Sequence, residues 1–568
     1  MQFLKQFLFF LVVISIISFI DSYYLGTGIT GIDDGNIFLN YAHHLAHGDG
    51  FVFNTNGEHV EGFTSFLWVI ICAGAYLVTA NPELLLYCFS LLLNTLVFTN
   101  IYRAIYKDVV VLYPSFSKYF FWLYTAFIIT IGPSFIAWSV LSLMENALWN
   151  FTFSLLLILV LSTVEAGSIS FKRKSALIIS GCLLSLIRPE ALAWNLVFAV
   201  ILAYTFIQNR RKLFFPLLYF VSFVAVEICL TLFRLHYFGY RFPNTYYAKI
   251  SPDKIYNLTE GAKYALSFIT GYQPVISFLF VLMTIMLLYA VFKLKILFKQ
   301  KEDTLVNSSI VKKFTIVAGI IWIGFLLPCT TGGDHFGGFR FYQHLLPLFA
   351  WGIIVILWLY KYYRNSNRNI SAIGFATVII FLLVIALNNL AALKTPAKTQ
   401  MNFEFLLARQ DRELAAHLNK TFTIKPSVGK IAIGGFGLIY EGETVDLMGL
   451  NNIAMGHSPG DRKGIKNHAA FNKDIFYTLK PDVLLPQTVT DLNEARIVYF
   501  GLIDANNFDN QAMKNIFNDA AFQKLYLPAY LYDTKNNTGY FLFAGIDFID
   551  RLKNNADYKI NIINSWSI

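Results

Sequence analysis

Two adjacent acids, Asp33 and Asp34, lie in a polar segment of about 40 residues, Leu25 to Gly62, that follows the first hydrophobic stretch of the chain. A carboxylate at the boundary between membrane and water can accept a proton from a hydroxyl group, or hold that hydroxyl in position. An aspartate can also cap the first turn of a helix, and for Asp34 this structural interpretation has equal weight. For Asp33 the sequence favours a chemical role.

Three histidines follow the acids, and their spacing offers a second kind of chemistry. His43 and His47 are four residues apart and would share one face of a helix, where both could bind a metal ion. The sequence shows no further ligand that completes such a site, so we favour exposed histidines on a polar helix face. We assign no metal site and infer no cofactor, and we leave a requirement for a divalent cation open.

The same segment predicts the elements that position these side chains. Apolar side chains recur every four residues from Ile37 to Leu45, which indicates an amphipathic helix along the membrane surface. Asp33 or Asp34 is expected to cap the first turn of that helix. An Asn-Gly pair then indicates a turn that returns the chain to the bilayer at Glu61.

The composition places the chain among polytopic α-helical membrane proteins. Hydrophobic residues make up 56% and charged residues 14% of the sequence, and several apolar runs are long enough to cross a bilayer. The formal charge of +10 is concentrated in short loops, where positive charge orients membrane helices, so we expect no nucleic-acid partner. All five cysteines fall within or beside hydrophobic segments, and their positions suggest neither a disulfide framework nor a zinc site.

Basic clusters predict the topology of these helices. The first hydrophobic stretch lacks a cleavage site, so we expect an uncleaved helix with its N-terminus in the cytoplasm. Basic clusters at 172–174 and 210–212 bracket about 32 hydrophobic residues, which is right for a helical hairpin. The expected inner loops are 293–313 and 361–368, and the expected outer segments are the hairpin tip Arg188-Pro189-Glu190, 237–272, 330–343 and everything after about residue 393.

One stretch conflicts with this topology. If 63–80 and 84–102 both cross the membrane, Arg103 lies outside and Glu145 lies inside, against the charge rule. A partial or interfacial helix in place of one segment would restore the count and bring Glu145 to the outer side. With this point open, the sequence predicts about 11 to 13 transmembrane helices.

The character of the chain changes after residue 392. Lysine, asparagine, aspartate and glutamine become frequent, and no apolar run as long as a membrane span follows. Short apolar runs near Lys430 and Asp482 alternate with helical periodicity, as at 402–418, and predict a soluble α/β domain. The predicted domains are therefore a membrane domain, 1–392, with its first outer loop at 25–62, and a soluble outer domain, 393–568.

Further polar motifs follow the first loop in a definite order. The motifs are Asp33-Asp34 with Asn40-Tyr41-Ala42, Gly48 to Asn54, Val60 to Trp68, Met144 to Leu148, Leu186 to Ala191, Pro243 to Lys249, Gly332-Gly333-Asp334 with Arg340-Phe341 and Leu346-Pro347, Val445 to Leu450, and Lys480 to Val483. This ordered set resembles the membrane-embedded GT-C glycosyltransferases, most closely the terminal arabinofuranosyltransferases of mycobacterial cell walls and their bacterial relatives. The chain departs from these relatives at Asn451-Asn452 and within a variable stretch at His335-Phe336.

This resemblance implies a GT-C-like membrane fold. It also implies a glycosyltransferase that moves a sugar from a polyprenyl-phosphate donor to a cell-envelope glycan or glycolipid, on the outer face of a bacterial inner membrane. In such an enzyme Asp33 or Asp34 would act as catalytic base toward the acceptor hydroxyl. The residues expected to bind donor phosphate or substrate are Arg188, Glu190, Lys249, Tyr247, Asp334, Arg340, Glu145 and Glu61.

Physical chemistry gives the three basic residues a role. A lipid phosphate leaving group requires cations or hydrogen-bond donors, and Arg188, Lys249 and Arg340 can supply them. Structural alternatives stay open: Arg188 could serve only as the partner of Glu190, and Lys249 could simply extend to the membrane interface. Glu145 could bind sugar hydroxyls or cap its helix.

Two other classes of function compete with an enzyme. A transporter or flippase of envelope precursors would predict repeated halves and acids near the bilayer midplane. The sequence shows no repeat, and Glu227 is its one strong midspan acid. A non-enzymatic scaffold whose outer domain binds glycan or proteins is the third class.

Overall fold

The computed structural model describes residues 2–26, 28–112, 114, 116–166, 169–271, 274–297, 305–363, 383–384, 387, 400–553 and 555–564. Arg364 and Arg368, the last predicted membrane span and the predicted domain boundary at 392 lie outside the described residues.

The described residues up to 363 are mostly helical. In chain order the helices are α1 (Gln2–Leu25), α2 (Asp33–His47), α3 (Phe66–Val78), α4 (Pro82–Leu112), α5 (Ser117–Ile136), α6 (Asn146–Glu165), α7 (Phe171–Ile187), α8 (Ala191–Gln208), α9 (Phe214–Tyr237), α10 (Asn244–Lys249), α11 (Lys254–Gly271), α12 (Pro274–Leu297), α13 (Leu305–Leu326) and α14 (Gly352–Tyr363). A π-helical turn, Ala137–Leu141, extends α5, and 3₁₀ helices span Leu327–Thr331 and Arg340–Trp351.

Eight helices within the described part of the chain are long and apolar enough to cross a membrane. A ninth span results if the bent pair Lys254–Gly271 and Pro274–Tyr289 crosses once. These helices make the chain a multi-pass membrane protein, as the composition predicts.

The predicted hairpin is confirmed. Helix α7 ends at Ile187, Arg188 adopts an extended conformation, and α8 begins at Ala191. Asn195 of α8 donates a hydrogen bond of 3.0 Å to the carbonyl of Gly181 in α7. The tip of the hairpin therefore holds Arg188 at the end of two packed helices.

The length of α3 favours one side of the topological conflict. This helix has 13 residues and, at 1.5 Å per residue, is roughly 20 Å long, which is short for a hydrocarbon core of about 30 Å. This length agrees with the alternative that has one partial helix. Glu145 lies at the same end of the bundle as Arg188, whose Nη1 donates a hydrogen bond of 2.8 Å to Oε1 of Glu145.

Helix α2 forms where the sequence predicts it, but neither aspartate caps it. The residue before the helix is Ile32, and its apolar side chain makes no hydrogen bond to the backbone amides of the first turn. Gly48 ends the helix with a φ of 92°, in the left-handed region that glycine tolerates best. The capping prediction for Asp33 and Asp34 is therefore wrong, because the chain enters the helix through an apolar residue.

Helix α2 is also more buried than an interfacial helix. Asn36, Asn40 and His44 on its polar side are buried, together with Ile37 and Tyr41 on its apolar side. Because both sides are covered, the helix lies between the membrane helices and the C-terminal region rather than on an open membrane surface.

The C-terminal region is built on one mixed sheet. Its strands are β1 (Val428–Lys430), β2 (Thr444–Asp446), β3 (Val483–Val489), β4 (Tyr526–Asp533), β5 (Thr538–Gly545) and β6 (Tyr558–Ile562), in the spatial order β2-β1-β3-β5-β4-β6. Strands β1, β2 and β3 pair in parallel, and the other pairs are antiparallel. The helices are α15 (Gln400–Thr421), α16 (Gly434–Ile439), α17 (Ile453–Gly456), α18 (Lys473–Leu479), α19 (Leu492–Ile503), α20 (Phe508–Ala512), α21 (Ala520–Leu525) and α22 (Ile546–Leu552). The predicted α/β class is confirmed.

This sheet domain packs tightly against the membrane helices. Met401, Phe405 and Ile433 belong to the same buried apolar cluster as the helix bundle. Tyr41 donates a hydrogen bond of 3.1 Å to the side-chain oxygen of Asn451, so polar contacts join the two parts as well. We call the end of the bundle that carries this domain the domain-side face.

Candidate functional site

A cavity of about 400 Å³ opens at the domain-side face of the bundle. Its walls come from the ends of α2, α6 and α8, from α10 and from the segment after α13, and Leu450 and Asn467 of the sheet domain reach it as well. Six of the ten residues predicted from the sequence line this cavity: Asp34, Glu145, Arg188, Glu190, Lys249 and Arg340. Segments up to about 300 residues apart in the chain thus place their charges in one space.

Asp34 is the acid that lies between two basic side chains. Its Oδ2 is 3.2 Å from Nη1 of Arg340 and 3.7 Å from Nζ of Lys249. Burial alone would raise the pKa of Asp34, but Lys249 and Arg340 outweigh it and hold this pKa below its usual value. Asp34 is therefore a carboxylate at neutral pH, close to cations that could also bind an anionic ligand.

Asp334 holds the side chain of Arg340 in position. Nε of Arg340 donates a hydrogen bond of 2.8 Å to Oδ2 of Asp334, and the guanidinium lies 4.5 Å from the centre of the Phe336 ring. Burial opposes the charge of Asp334, but Arg340 and His335 together hold its pKa well below the usual range. Asp334 does not itself line the cavity. Its role in the structure is to orient Arg340.

Arg188 is held between two carboxylates. It bonds to Glu145 at 2.8 Å and to Glu190 at 2.9 Å, and only 8% of Arg188 and 1% of Glu145 are exposed. Burial raises the pKa of Glu145 despite the nearby arginine. For Glu190, Arg188 outweighs burial and lowers the pKa. This is a closed ion-pair network with one negative charge in excess when both acids are ionised.

Helix α2 approaches this network closely. A Cβ atom at Gly35 would lie 2.2 Å from the carbonyl oxygen of Ser142, so only glycine permits the observed packing at that point. Asp34 directly precedes Gly35, and Ser142 lies three residues before Glu145. This close approach helps to place Asp34 and Glu145 in the wall of the same cavity.

Asp33 points away from the cavity. Its carboxylate accepts hydrogen bonds from the backbone amides of Ile433 (3.2 Å) and Gly435 (2.8 Å) in the sheet domain. Burial and the nearby charge of Asp411 raise the pKa of Asp33 to about 7, although the backbone amides of Gly435 and Gly434 act in the opposite direction. Asp33 fastens the sheet domain to α2, so the structure separates the roles of the two adjacent acids.

Glu61 and Tyr247 also lie away from the cavity. Glu61 is 2% exposed and forms a two-pronged ion pair with Arg234 of α9, with contacts of 2.8 to 3.0 Å. The ring of Tyr247 lies 4.1 Å, centre to centre, from that of His457 in the sheet domain, while its neighbour Tyr246 lines the cavity. Both predicted residues hold structural elements together, and neither reaches the space where a substrate would fit.

The sequence did not identify several of the residues that line the cavity. Asn150, Gln343 and His344 lie in the apolar helices Asn146–Glu165 and Arg340–Leu357 of the structure, where a single neutral polar residue gives no signal of its own. Asn467 comes from an irregular segment of the sheet domain and donates hydrogen bonds to His335 (2.8 Å) and to Asp334 (3.3 Å). The sheet domain therefore contributes directly to the support of Arg340.

Glu404 of α15 is a further acid near Asp34. It is partly buried, and burial together with the charges of Asp34 and Asp33 raises its pKa to about 8. An isolated glutamate on a predicted soluble helix carries no sequence signal for such a position. Glu404 does not line the cavity, so its carboxyl group acts on Asp34 through charge alone.

A metal site is not apparent among the described residues. These residues contain no group of three or more histidine, cysteine, aspartate or glutamate side chains in metal-binding geometry. The rings of His43 and His47 lie 4.2 Å apart, centre to centre, and both side chains are exposed. His44 differs from the expectation of an exposed histidine, because it is buried and bonds to Asp49 at 2.8 Å.

Comparison with solved structures finds archaeal membrane proteins. Oligosaccharyltransferase AglB from Archaeoglobus fulgidus, in complex with an inhibitory peptide and a dolichol-phosphate, aligns with a TM-score of 0.47 and 10% identity over 97% of this chain and 75% of that one. The apo form of the A. fulgidus oligosaccharyltransferase aligns with a TM-score of 0.48 and 11% identity over 94% of this chain and 74% of that one. No family model matches the sequence, and no curated protein matches it.

Proposed function

We propose that this protein is a membrane glycosyltransferase that uses a polyprenyl-phosphate-linked sugar as donor. The observation that carries the proposal is the position of Asp34, a carboxylate within 4 Å of both Arg340 and Lys249 in a cavity at the end of the membrane helices. An acid beside two cations supplies a proton acceptor for a hydroxyl and a binding site for a phosphate group in one place.

In the proposed reaction the acceptor hydroxyl attacks the anomeric carbon of the donor sugar. The new bond joins the acceptor oxygen to that carbon, and the bond between the carbon and the phosphate oxygen breaks. Asp34 accepts the proton of the hydroxyl, and the lipid phosphate leaves with the electron pair. Arg340 and Lys249 stabilise the negative charge of the departing phosphate.

The rim of the cavity suits a lipid-linked donor. Phe242 and Tyr246 line the cavity and are 42% and 43% exposed, so one side of the opening is apolar. An isoprenoid chain can lie against such side chains while its phosphate reaches Lys249, three residues after Tyr246. This arrangement supports a donor that enters from the membrane rather than from water.

We further propose that the domain-side face is the outer face of a bacterial inner membrane. The basic residues 172–174 and 210–212 lie at the opposite ends of α7 and α8 from Arg188, and positive charge favours the cytoplasmic side. The acceptor is then a cell-envelope glycan or glycolipid. Residues 1–392 form the membrane domain and 393–568 the outer domain in this proposal.

The decisive experiment is transfer by the purified full chain in lipid nanodiscs. Polyprenyl-phosphate sugars that accumulate in a deletion strain would serve as donors, and envelope glycans of that strain as acceptors. We expect glycosidic bond formation by the wild-type protein and a loss of about 10² to 10⁴ in rate for Asp34→Asn, because the proton acceptor is removed.

Two outcomes would contradict this function. Transfer that is undiminished in Asp34→Asn would remove the proposed role of the cavity. Movement of intact donor between the leaflets of a vesicle, with no new glycosidic bond under any condition, would instead identify a flippase. An equal unfolding temperature of wild type and Asp34→Asn serves as the control for folding.

A further inference from the structure

Three polar side chains line the cavity on helices that run away from the domain-side face. Asn150 and His344 each follow another lining residue, Asn146 and Arg340, by four positions along a helix. Each is therefore roughly 6 to 8 Å further along its helix than that residue. We call Asn150, Gln343 and His344 the deep polar group, and all three line the cavity.

The deep polar group contains buried atoms without hydrogen-bond partners among the described residues. They are both amide atoms of Asn150, Oε1 of Gln343 and Nε2 of His344. Asn150 is 2% exposed, Gln343 1% and His344 8%. Unpaired polar atoms in a protein interior are costly, so a cluster of them at one end of a cavity indicates a polar ligand.

The chemistry of the group matches hydroxyl groups. A carboxamide donates and accepts hydrogen bonds, as does a neutral imidazole, and a hydroxyl can pair with either function. The ring of His344 is surrounded by Trp149, Phe153 and Trp194, with ring centres 4.9 to 5.8 Å away. Trp149 and Trp194 also line the cavity and provide apolar surface for the C–H bonds of a sugar ring.

The charges nearby disfavour an anionic ring. Arg188, which lines the same cavity, is already bonded to Glu145 and Glu190, and the second oxygen of Glu145 has no partner among the described residues. A carboxylate placed below this network would meet excess negative charge in a buried site, while an uncharged hydroxylated ring would not.

We propose that the deep polar group binds the uncharged, hydroxylated ring of the donor sugar and selects it against acidic sugars. This inference rests on the proposed function, because it places the donor phosphate above the ring, beside Arg340 and Lys249. The distance of roughly 6 to 8 Å between the two layers is about the length of one monosaccharide. Asn150 and His344 are then residues that determine donor specificity.

The test compares lipids with and without a sugar. Binding of polyprenyl phosphate, and of polyprenyl phosphate carrying glucose, mannose, arabinofuranose or glucuronic acid, is measured on the full chain in nanodiscs. We expect the wild type to prefer at least one neutral sugar over bare polyprenyl phosphate by about tenfold, and not to prefer glucuronic acid. Asn150→Leu and His344→Phe should lose this preference and bind bare polyprenyl phosphate as the wild type does.

The control variant is Thr163→Val on the same helix. Thr163 is buried, and its hydroxyl bonds to the carbonyl of Leu159 away from the cavity, so its loss should leave the preference unchanged. If Asn150→Leu does not fold, Asn150→Ala removes the same amide with a smaller side chain.

The outcomes distinguish a failure of this inference from a failure of the proposed function. Wild-type protein that binds none of the lipids contradicts the proposed function itself. Wild-type protein that binds them but shows no preference for a neutral sugar, or prefers glucuronic acid, overturns the inference alone. The inference also fails if Asn150→Leu and His344→Phe keep the wild-type preference.

Discussion

The two ion clusters of the cavity differ in how tightly they are closed. In the open cluster, Asp34 lies 3.7 Å from Lys249 and 3.2 Å from Arg340, and the side chains of Asp34 and Lys249 are 18% and 20% exposed. In the closed cluster, Arg188 bonds to Glu145 at 2.8 Å, and these side chains are 9% and 1% exposed.

This difference indicates different roles. The long contact between Lys249 and Asp34 leaves the lysine able to exchange its partner for a phosphate oxygen. The short contacts of Arg188 satisfy its charge within the protein, so this arginine lines the cavity without being available to a ligand. The sequence offers Arg188, Lys249 and Arg340 alike as phosphate ligands, and the difference between the clusters favours Lys249 over Arg188 for that role.

The largest effect on stability is expected for Arg188→Met. This change leaves Glu145 buried without its partner, and breaking such a pair costs about 3 to 5 kcal/mol. The unfolding temperature of the purified protein should fall strongly, together with its yield from membranes. An unfolding temperature equal to that of the wild type would show that the closed cluster is not structural.

Lys249→Met should affect donor binding more than folding. Its ammonium group is partly exposed and makes a long contact, so the unfolding temperature should change little. Loss of one charge-assisted hydrogen bond to phosphate, worth about 1.5 to 3 kcal/mol, should raise the donor KM roughly 10- to 100-fold. A variant with unchanged KM and a lowered unfolding temperature would reverse the proposed contrast between the clusters.

Asn467→Ala tests the contribution of the sheet domain. The change removes hydrogen bonds to His335 and Asp334, and so loosens the support of Arg340. We expect kcat to fall by about tenfold or less, because each such bond contributes about 1 kcal/mol, with a smaller change in KM. Asn536→Ala, at an exposed turn of the same domain, is the matched control and should retain full activity.

The last prediction concerns the pH dependence of stability. The folded pKa of Asp33 is raised from 3.8 to about 7, so between about pH 4 and 7 the folded protein holds a proton that the unfolded chain has lost. Stability should therefore fall as the pH rises through this range, and Glu404, with a pKa raised to about 8, adds to the same trend.

Asp33→Asn should flatten that trend. The apparent unfolding temperature would be compared at about pH 5 and about pH 8. Asp34→Asn should not flatten the trend, because the pKa of Asp34 is lowered rather than raised. Equal slopes for wild type and Asp33→Asn would exclude Asp33 as a source of the pH dependence.

Much of the site was predictable because its residues lie at the ends of apolar spans. Arg188 and Glu190 stand out at the tip of a hairpin, and Arg340 just before another hydrophobic stretch. Charges near hydrocarbon are rare, so these positions carried a signal by themselves. Lys249 lies within the outer segment 237–272 and was found only as part of the ordered set of motifs. Asn150 and His344 carried no signal, since single neutral polar residues are common in membrane helices.

The distinction between Asp33 and Asp34 could not be predicted. Adjacent residues in a helix point about 100° apart, so one carboxylate faces the cavity and the other faces the sheet domain. The choice depends on where α16 and its backbone amides lie, and α16 follows Asp33 by 400 residues. The short length of α3 likewise became visible only in the fold.

Hydrophobic run lengths and basic loops thus determined on their own that this chain is a multi-pass membrane protein with a C-terminal α/β domain, because both depend on local transfer free energies. Which acid faces which base was decided only by the tertiary structure. Ion pairing depends on distances of a few ångströms between segments far apart in the chain, and no local pattern encodes those distances.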